Sequence, residues 1–567
     1  MPAVLGFNCY KHDSAAAILV DGRLVAAAEE ERFTRVKHDS GFPARAVDYC
    51  LKAAGLSASD LDCVAYYMVP SRVMAENLLF SRHYILERGG GNFLLAQLAG
   101  ARKMSLAGAT MREHLGQGFR ARTVFVDHHT AHAWAAWYCS GFEDAAVLTM
   151  DGVGERDTSL LGDFEGAALH RISGSVYPHS PGVFYSAVTR HLGFEPDGDE
   201  YKVMGLSSYG EPEFVDLFRR MIRATPDGRI RVDTGLLDIR RGVHHARFPR
   251  AVEEMLGPPR KPGAEMERRH ENIAASAQRA LEEVGLSLAK LLKRATGRDR
   301  LVISGGVGLN CVMNGLIERE AGFSEIYPLP APHDAGTSIG AAVAAHLTMF
   351  PDTRLESPPG MYLGPSYTES EIEAALVQSK QSYTRPGDVY AETARLVAEG
   401  SVVGLFQGRM EFGPRALGNR SILADPRRAD MKDIVNSVVK QREGFRPFAP
   451  SCLEESAGEY FEGCRKSRYM ISTYMVRPGK AEVIPAVTHV DNTSRVQTVT
   501  EETNPSYWSI IRRFGALTGV PVVMNTSFNV KGEPIVESPV DALRCFWGTG
   551  LDALSIPPFL IVKNPGR

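Results

Sequence analysis

Residues 3–31, AVLGFNCYKHDSAAAILVDGRLVAAAEEE, hold the pattern that decides the fold. A short apolar strand opens into a polar loop, and two further strands follow, joined by Asp21-Gly22 as a two-residue hairpin turn. The same order returns from residue 146: AVLTM is a strand, DGVGERD is a polar glycine loop, and TSLLGDFEGAALHRI is a second hairpin around Glu165-Gly166. Because the two copies start about 140 residues apart, the pattern predicts two related halves.

Two halves of this kind, facing each other across a cleft, describe an α/β fold of the actin-like and sugar-kinase-like type. Two later segments complete the pattern that is expected of this fold. Residues 300–317, RLVISGGVGLNCVMNGLI, and residues 326–347, IYPLPAPHDAGTSIGAAVAAHL, each predict a strand, a loop and a helix. Glycine lets backbone N–H groups approach phosphates closely, so these loops predict a nucleotide site.

The overall charge and the cysteines narrow the class of protein. The 567-residue chain has a formal net charge of −3, which argues against a protein that coats nucleic acid or a membrane surface. No apolar run approaches the ~20 residues of a membrane-spanning helix, and the first residues, MPAVLGFNCY, lack the pattern of a secretion signal. Eight scattered cysteines without a CxxC pair are typical of reduced thiols. We therefore expect a cytoplasmic protein.

A histidine-rich stretch, VDHHTAHAWAAW at residues 126–137, predicts the first turns of a helix. Asp127 is placed as its N-cap, and His128 and His132, four residues apart, share one face. His129 points about 100° away from its neighbour. Two histidines on one face chelate a divalent metal in some helices and are ordinary helix residues in others. The spacing alone does not separate these two interpretations.

The chain changes character after residues 351–366, PDTRLESPPGMYLGPS, a proline- and glycine-rich stretch that predicts a domain boundary. Beyond it, nine basic residues fall within 38 positions and are interleaved with phenylalanine and proline: Arg409, Arg415, Arg420, Arg427, Arg428, Lys432, Lys440, Arg442 and Arg446. The pattern predicts cations held against apolar walls, as in a phosphate pocket. A nucleic-acid surface is the rival interpretation, and the net charge disfavours it. Further on, residues 520–534 predict a buried strand that ends in polar side chains, among them Asn525 and Ser527.

Nine motifs, taken together and in this order, span nearly the whole chain. They are GFNCYKHDSAAAI, EEERFTRVKHDSGFP, DHHTAHA, TMDGVGE, SGGVGLN, HDAGTSIGAA, GRMEFGPRALGNRSIL, REGFRPFAP and MNTSFNVKGEPIV. The set resembles the O-carbamoyltransferases of secondary metabolism, the family of Nod-factor, cephalosporin and tobramycin carbamoylating enzymes. The resemblance implies two domains. Residues 1–355 would form a Kae-like actin-fold domain that transfers the carbamoyl group, and residues 356–567 an α+β, YrdC-like domain that forms carbamoyl-adenylate.

The resemblance also implies the chemistry. Enzymes of this family consume carbamoyl phosphate and ATP, the latter with Mg²⁺, and form carbamoyl-adenylate. They then transfer the carbamoyl group to a hydroxyl of a small natural product, such as an antibiotic or a sugar. The metal of the family is Fe²⁺, so iron or a similar divalent ion is the expected cofactor. No nucleic acid and no membrane is expected as a partner.

Carried over residue by residue, the resemblance resolves the histidine-rich helix in favour of metal. His128 and His132 would bind it, with Asp334 and Asp151 as the carboxylates. His12, with Asp13, matches the N-terminal motif and would remove the proton of the attacking hydroxyl. The positions that would contact the nucleotide or the adenylate are Lys37, Gly152, Gly154, Gly305, Gly306, Asn310, Arg415, Lys440, Arg446, Arg495, Asn525 and Ser527.

Each of three other functions explains a part of the sequence. A metallopeptidase that uses HxxxH carries Glu beside the first histidine, and position 129 is His. A threonylcarbamoyl-tRNA enzyme shares both domain types but should present a more basic surface. A non-catalytic actin-like ATPase module would not need the cationic pocket of the second half. The acceptor and the oligomeric state are not written in the sequence, although Ser71 to Gln117 carries few family motifs and is the candidate segment that shapes the acceptor site.

Overall fold

The structure is a computed structural model that describes residues 1–81, 100–116, 118–239 and 245–563. The segment predicted to shape the acceptor site, Ser71 to Gln117, therefore lies partly outside the described residues. Among the residues described, none of the helices combines the length and the apolar character needed to cross a bilayer.

The chain divides into two compact units. The first contains residues 1–30 and 38–358, and the second contains residues 31–37 together with the chain from residue 359 onward. The sequence places the boundary after residue 355. It does not predict that residues 31–37, which follow the first hairpin, group with the C-terminal unit.

The first unit contains two five-stranded sheets with the same topology. Their strands are β1 (Ala3–Asn8), β2 (Ala15–Val20), β3 (Arg23–Glu29), β4 (Cys63–Tyr66) and β5 (Arg122–Phe125), then β6 (Ala145–Met150), β7 (Asp157–Glu165), β8 (Ala168–Val176), β11 (Arg300–Ser304) and β12 (Glu325–Pro328). The orders are β3-β2-β1-β4-β5 and β8-β7-β6-β11-β12. In each sheet the first three strands are antiparallel neighbours and the last two run parallel to the first. This repeated order is the topology of the actin-like fold, and the predicted duplication is confirmed.

The two hairpin turns differ slightly from each other. Asp21 and Gly22 both have positive φ, 52° and 76°, as a primed two-residue turn requires. In the second half Glu165 pairs with Ala168, so the turn falls on Gly166 and the residue after it, one position later than predicted.

Helices cover these sheets and carry several of the site residues. Helix α1 (Glu31–Thr34) belongs to the second unit, and the helices of the first unit are α2 (Ala44–Ala54), α3 (Pro70–Ser81), α4 (Ala107–Leu115), α5 (His128–Ser140), α6 (Pro181–His191), α7 (Glu200–Ser207), α8 (Val215–Met221), α9 (Arg250–Leu256), α10 (Arg268–Thr296), α11 (Cys311–Glu320) and α12 (Asp334–Met349). A small hairpin of β9 (Ile222–Ala224) and β10 (Ile230–Val232) lies beside them. Helix α12 packs closely on α5, since a Cβ on Gly340 would lie 1.7 Å from the Ala131 carbonyl oxygen. This packing brings the N-terminal ends of α5 and α12 together.

The second unit is an α+β fold around one mixed seven-stranded sheet. Its sheet strands are β13 (Val403–Phe406), β14 (Arg420–Ala424), β15 (Ala449–Leu453), β18 (Gln497–Val499), β19 (Val522–Ser527), β20 (Ala553–Ile556) and β21 (Phe559–Val562), and a two-stranded ribbon adds β16 (Tyr474–Met475) and β17 (Thr493–Ser494). The order is β18-β15-β19-β14-β13-β20-β21. The helices are α13 (Glu369–Gln378), α14 (Val389–Ala398), α15 (Met431–Val435), α16 (Ala457–Tyr460), α17 (Pro505–Thr518) and α18 (Pro539–Trp547). The predicted α+β class is confirmed.

Candidate functional site

The polar loops of the two related halves meet within the first unit. The loop after β1 carries Lys11, whose Nζ donates to the carbonyl oxygens of Val153 and Gly154 at 2.8 and 2.9 Å. Those carbonyls belong to the loop after β6. The duplicated pattern therefore brings two loops from distant parts of the chain to one place.

Helix α5 begins where the sequence predicts. The Asp127 side chain accepts the backbone N–H of Thr130 at 3.1 Å, as an N-cap does. His128 and His132 are fully buried on one face, and their Nε2 atoms lie 3.2 Å apart. His129 faces another way: its Nδ1 is 2.6 Å from Thr149 Oγ1 and its Nε2 is 2.9 Å from the Asp157 carbonyl. These contacts agree with leaving His129 out of the predicted metal ligands.

Two carboxylates complete the group around the paired histidines. Asp151, directly after β6, places Oδ2 at 2.8 Å from His128 Nε2 and 3.8 Å from His132 Nε2. Asp334, the first residue of α12, places Oδ1 at 3.8 and 3.9 Å from the same two nitrogens. The four ligand atoms all lie within 4.8 Å of one another. Side chains more than 200 residues apart in the sequence thus converge on one point.

The chemistry of this group fits a divalent cation. Two imidazole nitrogens and two carboxylate oxygens are the mixed donor set that suits ions such as Fe²⁺. His132 Nδ1 lies 3.1 Å from Ser304 Oγ, so its other nitrogen is left for a ligand. Burial raises the pKa of Asp334 and the charge of Asp151 adds to this, so a bound cation would relieve the repulsion between the two acids. We conclude that these four residues could hold the metal.

The predicted catalytic pair lies in the loop after β1. His12 Nδ1 is 2.6 Å from Asp13 Oδ2, and the second oxygen of Asp13 is 2.8 Å from His38 Nδ1. His333 Nε2 is 3.3 Å from Glu29 Oε1. Burial alone would lower the pKa of His12, but the hydrogen bond to Asp13 and the charge of Asp13 outweigh it and raise the pKa to about 10. Asp13 itself has a positive φ of 46°, a backbone state that non-glycine residues adopt rarely and that is common at functional sites.

The glycine loops shape the surroundings of Asp151. Gly305 has a φ of 87°, and a Cβ there would lie 2.2 Å from the Met150 carbonyl oxygen. The N–H of Gly306 donates to Asp151 Oδ1 at 3.1 Å. These two glycines support the carboxylate, and their contact with a nucleotide stays a prediction, as it does for Gly152 and Gly154.

Asn310 is engaged within the protein. Its Nδ2 donates to Gln278 Oε1 at 2.8 Å, and its Oδ1 accepts from Gln278 Nε2 and from the N–H of Met313, both at 3.0 Å. The side chain is the N-cap of α11 and is 8% exposed. The structure therefore gives Asn310 a structural role, and its predicted contact with a ligand is not tested.

In the second unit, Lys440 is buried against the end of β19. Its Nζ donates to the carbonyl and Oγ of Ser527, the latter at 3.2 Å, and to the carbonyl and Oδ1 of Asn529 at 3.0 and 2.7 Å. Burial lowers the pKa of Lys440 well below its usual value. All four acceptors are uncharged, so the ammonium is held without a carboxylate among these partners.

Other cations lie around Lys440 within this unit. After burial, the charges of Arg442, Arg446 and Lys37 contribute to the lowered pKa of Lys440. Arg446 NH1 is 3.7 Å from Glu443 Oε2. Mutual repulsion of this kind is relieved by a bound anion, which favours a phosphate-bearing ligand at this position.

The predicted aromatic walls are present for two of the arginines. The guanidinium carbons of Arg420 and Arg442 lie 3.7 and 4.3 Å from the ring centroids of Phe406 and Phe448. Arg420 is fully buried and donates to backbone carbonyls, among them Gln407 at 2.6 Å, so it braces the sheet. The prediction that Arg420 belongs to a phosphate pocket is therefore wrong, and its role is structural.

The remaining predicted residues of the second unit are spread over several elements. Asn525, on β19, is 1% exposed, and its Nδ2 donates to Ser451 Oγ and Gln497 Oε1, both at 3.0 Å. Arg415 lies in the loop before β14, and Arg495 lies between β17 and β18. Their contacts with an adenylate stay predictions.

Three residues near the predicted site are absent from the predicted set: Lys11, Glu29 and Glu155. Lys11 directly precedes His12 in the first motif, and Glu155 closes the motif TMDGVGE. Their positions in these motifs were the available signal. The roles of Lys11 and Glu155 depend on backbone partners that no motif records, and Glu29 contacts the His333 side chain.

Known proteins are similar to this chain over its whole length. The Carbamoyltransferase N-terminus model matches residues 3–343, and the Carbamoyltransferase C-terminus model matches residues 394–563. The protein sll1178 of Synechocystis is 40% identical over 600 aligned residues that cover 100% of this chain and 97% of its own. Nodulation protein NolNO of Sinorhizobium fredii is 39% identical over 98% of this chain and 80% of its own. Among solved structures, HypF of T. kodakarensis aligns with 61% of this chain and 48% of its own, at 12% identity and a TM-score of 0.32. With both family models matched in order, this chain belongs to the carbamoyltransferase family.

Proposed function

We propose that this transferase forms carbamoyl-adenylate from carbamoyl phosphate and ATP and then passes the carbamoyl group to a hydroxyl of a small natural-product acceptor. The observation that carries the proposal is the convergence of His128, His132, Asp151 and Asp334 on one point within the unit that also holds the His12–Asp13 pair. Family membership supplies the group that is transferred. The YrdC-like character of the second unit is part of the proposal.

The first step is assigned to the second unit. Carbamoyl phosphate gives up its phosphoryl group to water, and an oxygen of the resulting carbamate attacks the α-phosphorus of ATP, so that pyrophosphate leaves. Lys440 and Arg446 bind the phosphates and offset their charge. This role agrees with the cluster of cations around Lys440.

The second step is assigned to the first unit. The acceptor oxygen attacks the carbamoyl carbon, the bond from that carbon to the adenylate oxygen breaks, and AMP leaves. His12 takes the hydroxyl proton on Nε2, while Asp13 holds Nδ1 and stabilises the imidazolium. A divalent ion held by the four convergent side chains would supply Lewis-acid polarisation of an oxygen of the bound intermediate.

His12→Asn tests the division between the two steps. Since His12 is proposed to act only in transfer, the variant should still exchange labelled pyrophosphate into ATP when carbamoyl phosphate is present. Transfer of the labelled carbamoyl group to a panel of sugar and polyol hydroxyls should fall about 10²–10⁴-fold, the usual contribution of a general base. Loss of exchange together with transfer would place His12 in folding or in nucleotide binding instead.

The pH dependence of transfer follows from the same pair. Because the pKa of His12 is raised to about 10, the imidazole is protonated at neutral pH and becomes a base only as pH rises. The transfer rate should therefore increase with pH from neutral towards 10. Asp13→Asn removes the negative charge that raises this pKa and leaves a neutral acceptor, so the midpoint of the rising limb should move to lower pH while the maximal rate falls. A midpoint that stays in place in Asp13→Asn would show that another group titrates.

A further inference from the structure

Residues 151–155, the loop after β6, contact His128 in three separate ways. Asp151 Oδ2 meets His128 Nε2 at 2.8 Å. Gly154 lies against the imidazole, and a Cβ at that position would come within 2.9–3.1 Å of Cβ, Cδ2 and Cγ of His128. Glu155 reaches the backbone of His128, and this third contact has no part in the chemistry described above.

The Glu155 carboxylate is buried at the start of α5. Glu155 is 7% exposed. Its Oε1 and Oε2 accept the backbone N–H of His128 at 3.3 and 3.2 Å, and Oε1 also accepts the N–H of Val69 at 2.8 Å. Asp127 already accepts the N–H of Thr130. Two carboxylates thus share the first turn of the helix, each serving a different N–H group.

This arrangement constrains the residue that carries a metal-binding imidazole. His128 is the first residue of α5, and its N–H has no partner within the helix because the residue four positions earlier lies outside the helix. The acceptor must therefore come from outside, and Glu155 provides it. The backbone from which the His128 ring projects is consequently fixed by Glu155.

The loop that presents Glu155 is itself held. Lys11 donates to the carbonyls of Val153 and Gly154, the two residues before Glu155. On its other side, Glu155 binds Val69, which directly precedes α3. The Glu155 carboxylate therefore connects the starts of α3 and α5 to the loop after β6. Lys11, from the first half of the unit, holds that loop through two hydrogen bonds.

We infer that Glu155 is a positioning residue for the metal site: its carboxylate fixes the first turn of α5 so that the His128 imidazole faces the other three ligands. The inference rests on the proposed metal role of His128, His132, Asp151 and Asp334. Residues that orient metal ligands from outside the coordination shell typically change metal affinity by about 10–100-fold when they are replaced. Glu155 touches no reacting atom in this account.

The test is titration of the 567-residue chain with Co²⁺, followed by its visible absorption. Glu155→Ala removes both acceptor oxygens, and the Kd for Co²⁺ should rise about 10–100-fold with a changed absorption spectrum. Glu155→Gln keeps one acceptor oxygen, so its Kd for Co²⁺ should lie between the values of the wild type and of Glu155→Ala. Because the glutamine variant is the milder change, it carries the test if the alanine variant does not fold.

Glu30 offers a matched control. It is 3% exposed, and its carboxylate accepts the N–H groups of Arg45 and Ala46 at 3.2 and 2.8 Å, at the start of α2, which carries no metal ligand. Glu30→Ala should lower thermal stability without changing the Kd for Co²⁺ or its spectrum. An effect on metal binding as large as that of Glu155→Ala would mean that general destabilisation is the cause, and would overturn the inference.

A second control separates this inference from the proposed site. His128→Ala should abolish the Co²⁺ spectrum. If His128→Ala abolishes it while folded Glu155→Ala and Glu155→Gln bind Co²⁺ as the wild type does, the positioning role is wrong and the site stands. If His128→Ala keeps the wild-type spectrum, the proposed metal site is wrong.

Discussion

Replacing His128 and His132 together by alanine should remove the metal and end carbamoyl transfer. The two Nε2 atoms lie 3.2 Å apart and face Asp151 and Asp334, so the double variant leaves two buried carboxylates as the only ligands of the group. Metal content should fall from about one ion per chain to near zero, because carboxylates alone bind iron-like ions poorly without imidazole. Since a bound ion supplies several kcal/mol of transition-state stabilisation, transfer should fall by about a thousandfold or more.

Metal analysis of purified protein and transfer of labelled carbamoyl group to hydroxyl acceptors measure the two effects. The control is His129→Gln on the same helix, because His129 contacts Thr149 and the Asp157 carbonyl instead of the metal group. It should keep the metal. A double variant that retains both metal and full transfer would make the histidine-rich helix a structural feature.

Lys440→Ala should nearly abolish formation of carbamoyl-adenylate. The Lys440 ammonium is buried among uncharged acceptors with Arg442 and Arg446 nearby, and we propose that it holds a phosphate that only the first step creates or breaks. Loss of a charge-assisted contact of this kind typically costs about two to three orders of magnitude in rate. Arg446→Ala should act in the same direction. Pyrophosphate exchange measures the step.

The same variant should keep the second step. Chemically made carbamoyl-adenylate, supplied directly, should restore much of the transfer by Lys440→Ala, because His12 and the metal ligands are unchanged. His128→Ala should show the reverse, with exchange retained and no rescue. Lys531→Ala is the control, since this exposed lysine follows β19 and is not among the residues proposed to bind phosphate. If supplied adenylate does not rescue a folded Lys440 variant, labelled intermediate trapped on the His128 variant decides whether one site performs both steps.

The sequence predicts the sheets of the first unit well because their signals are local. Asp21-Gly22 closes a hairpin through its own backbone preferences, and the apolar runs on either side are recognised without a distant partner. The helical spacing of His128 and His132 is likewise local. Their carboxylate partners are not, because Asp151 and Asp334 meet them only through the fold, and the family resemblance was needed to name them.

Residues whose partners are backbone atoms escaped prediction. Lys11 and Glu155 both lie in family motifs, but Lys11 binds two carbonyls and Glu155 binds two N–H groups, and a motif does not show such backbone contacts. Asn310 caps α11 and pairs with Gln278, two contacts that the sequence does not predict, and its contact with a nucleotide stays a prediction. Arg420 fits the predicted pattern of a cation against an aromatic wall, but it donates to backbone carbonyls, and no motif records those partners.

The position at which ATP is cleaved tests the central claim most directly. The protein is incubated with ATP labelled on the α-phosphate and with carbamoyl phosphate labelled on carbon, without an acceptor, and the products are separated. We predict AMP-linked product that carries both labels, together with released pyrophosphate, and more of the doubly labelled species in His128→Ala than in Lys440→Ala. ADP as the only nucleotide product, with no pyrophosphate and no doubly labelled species in any variant, would identify an actin-like ATPase and contradict the account.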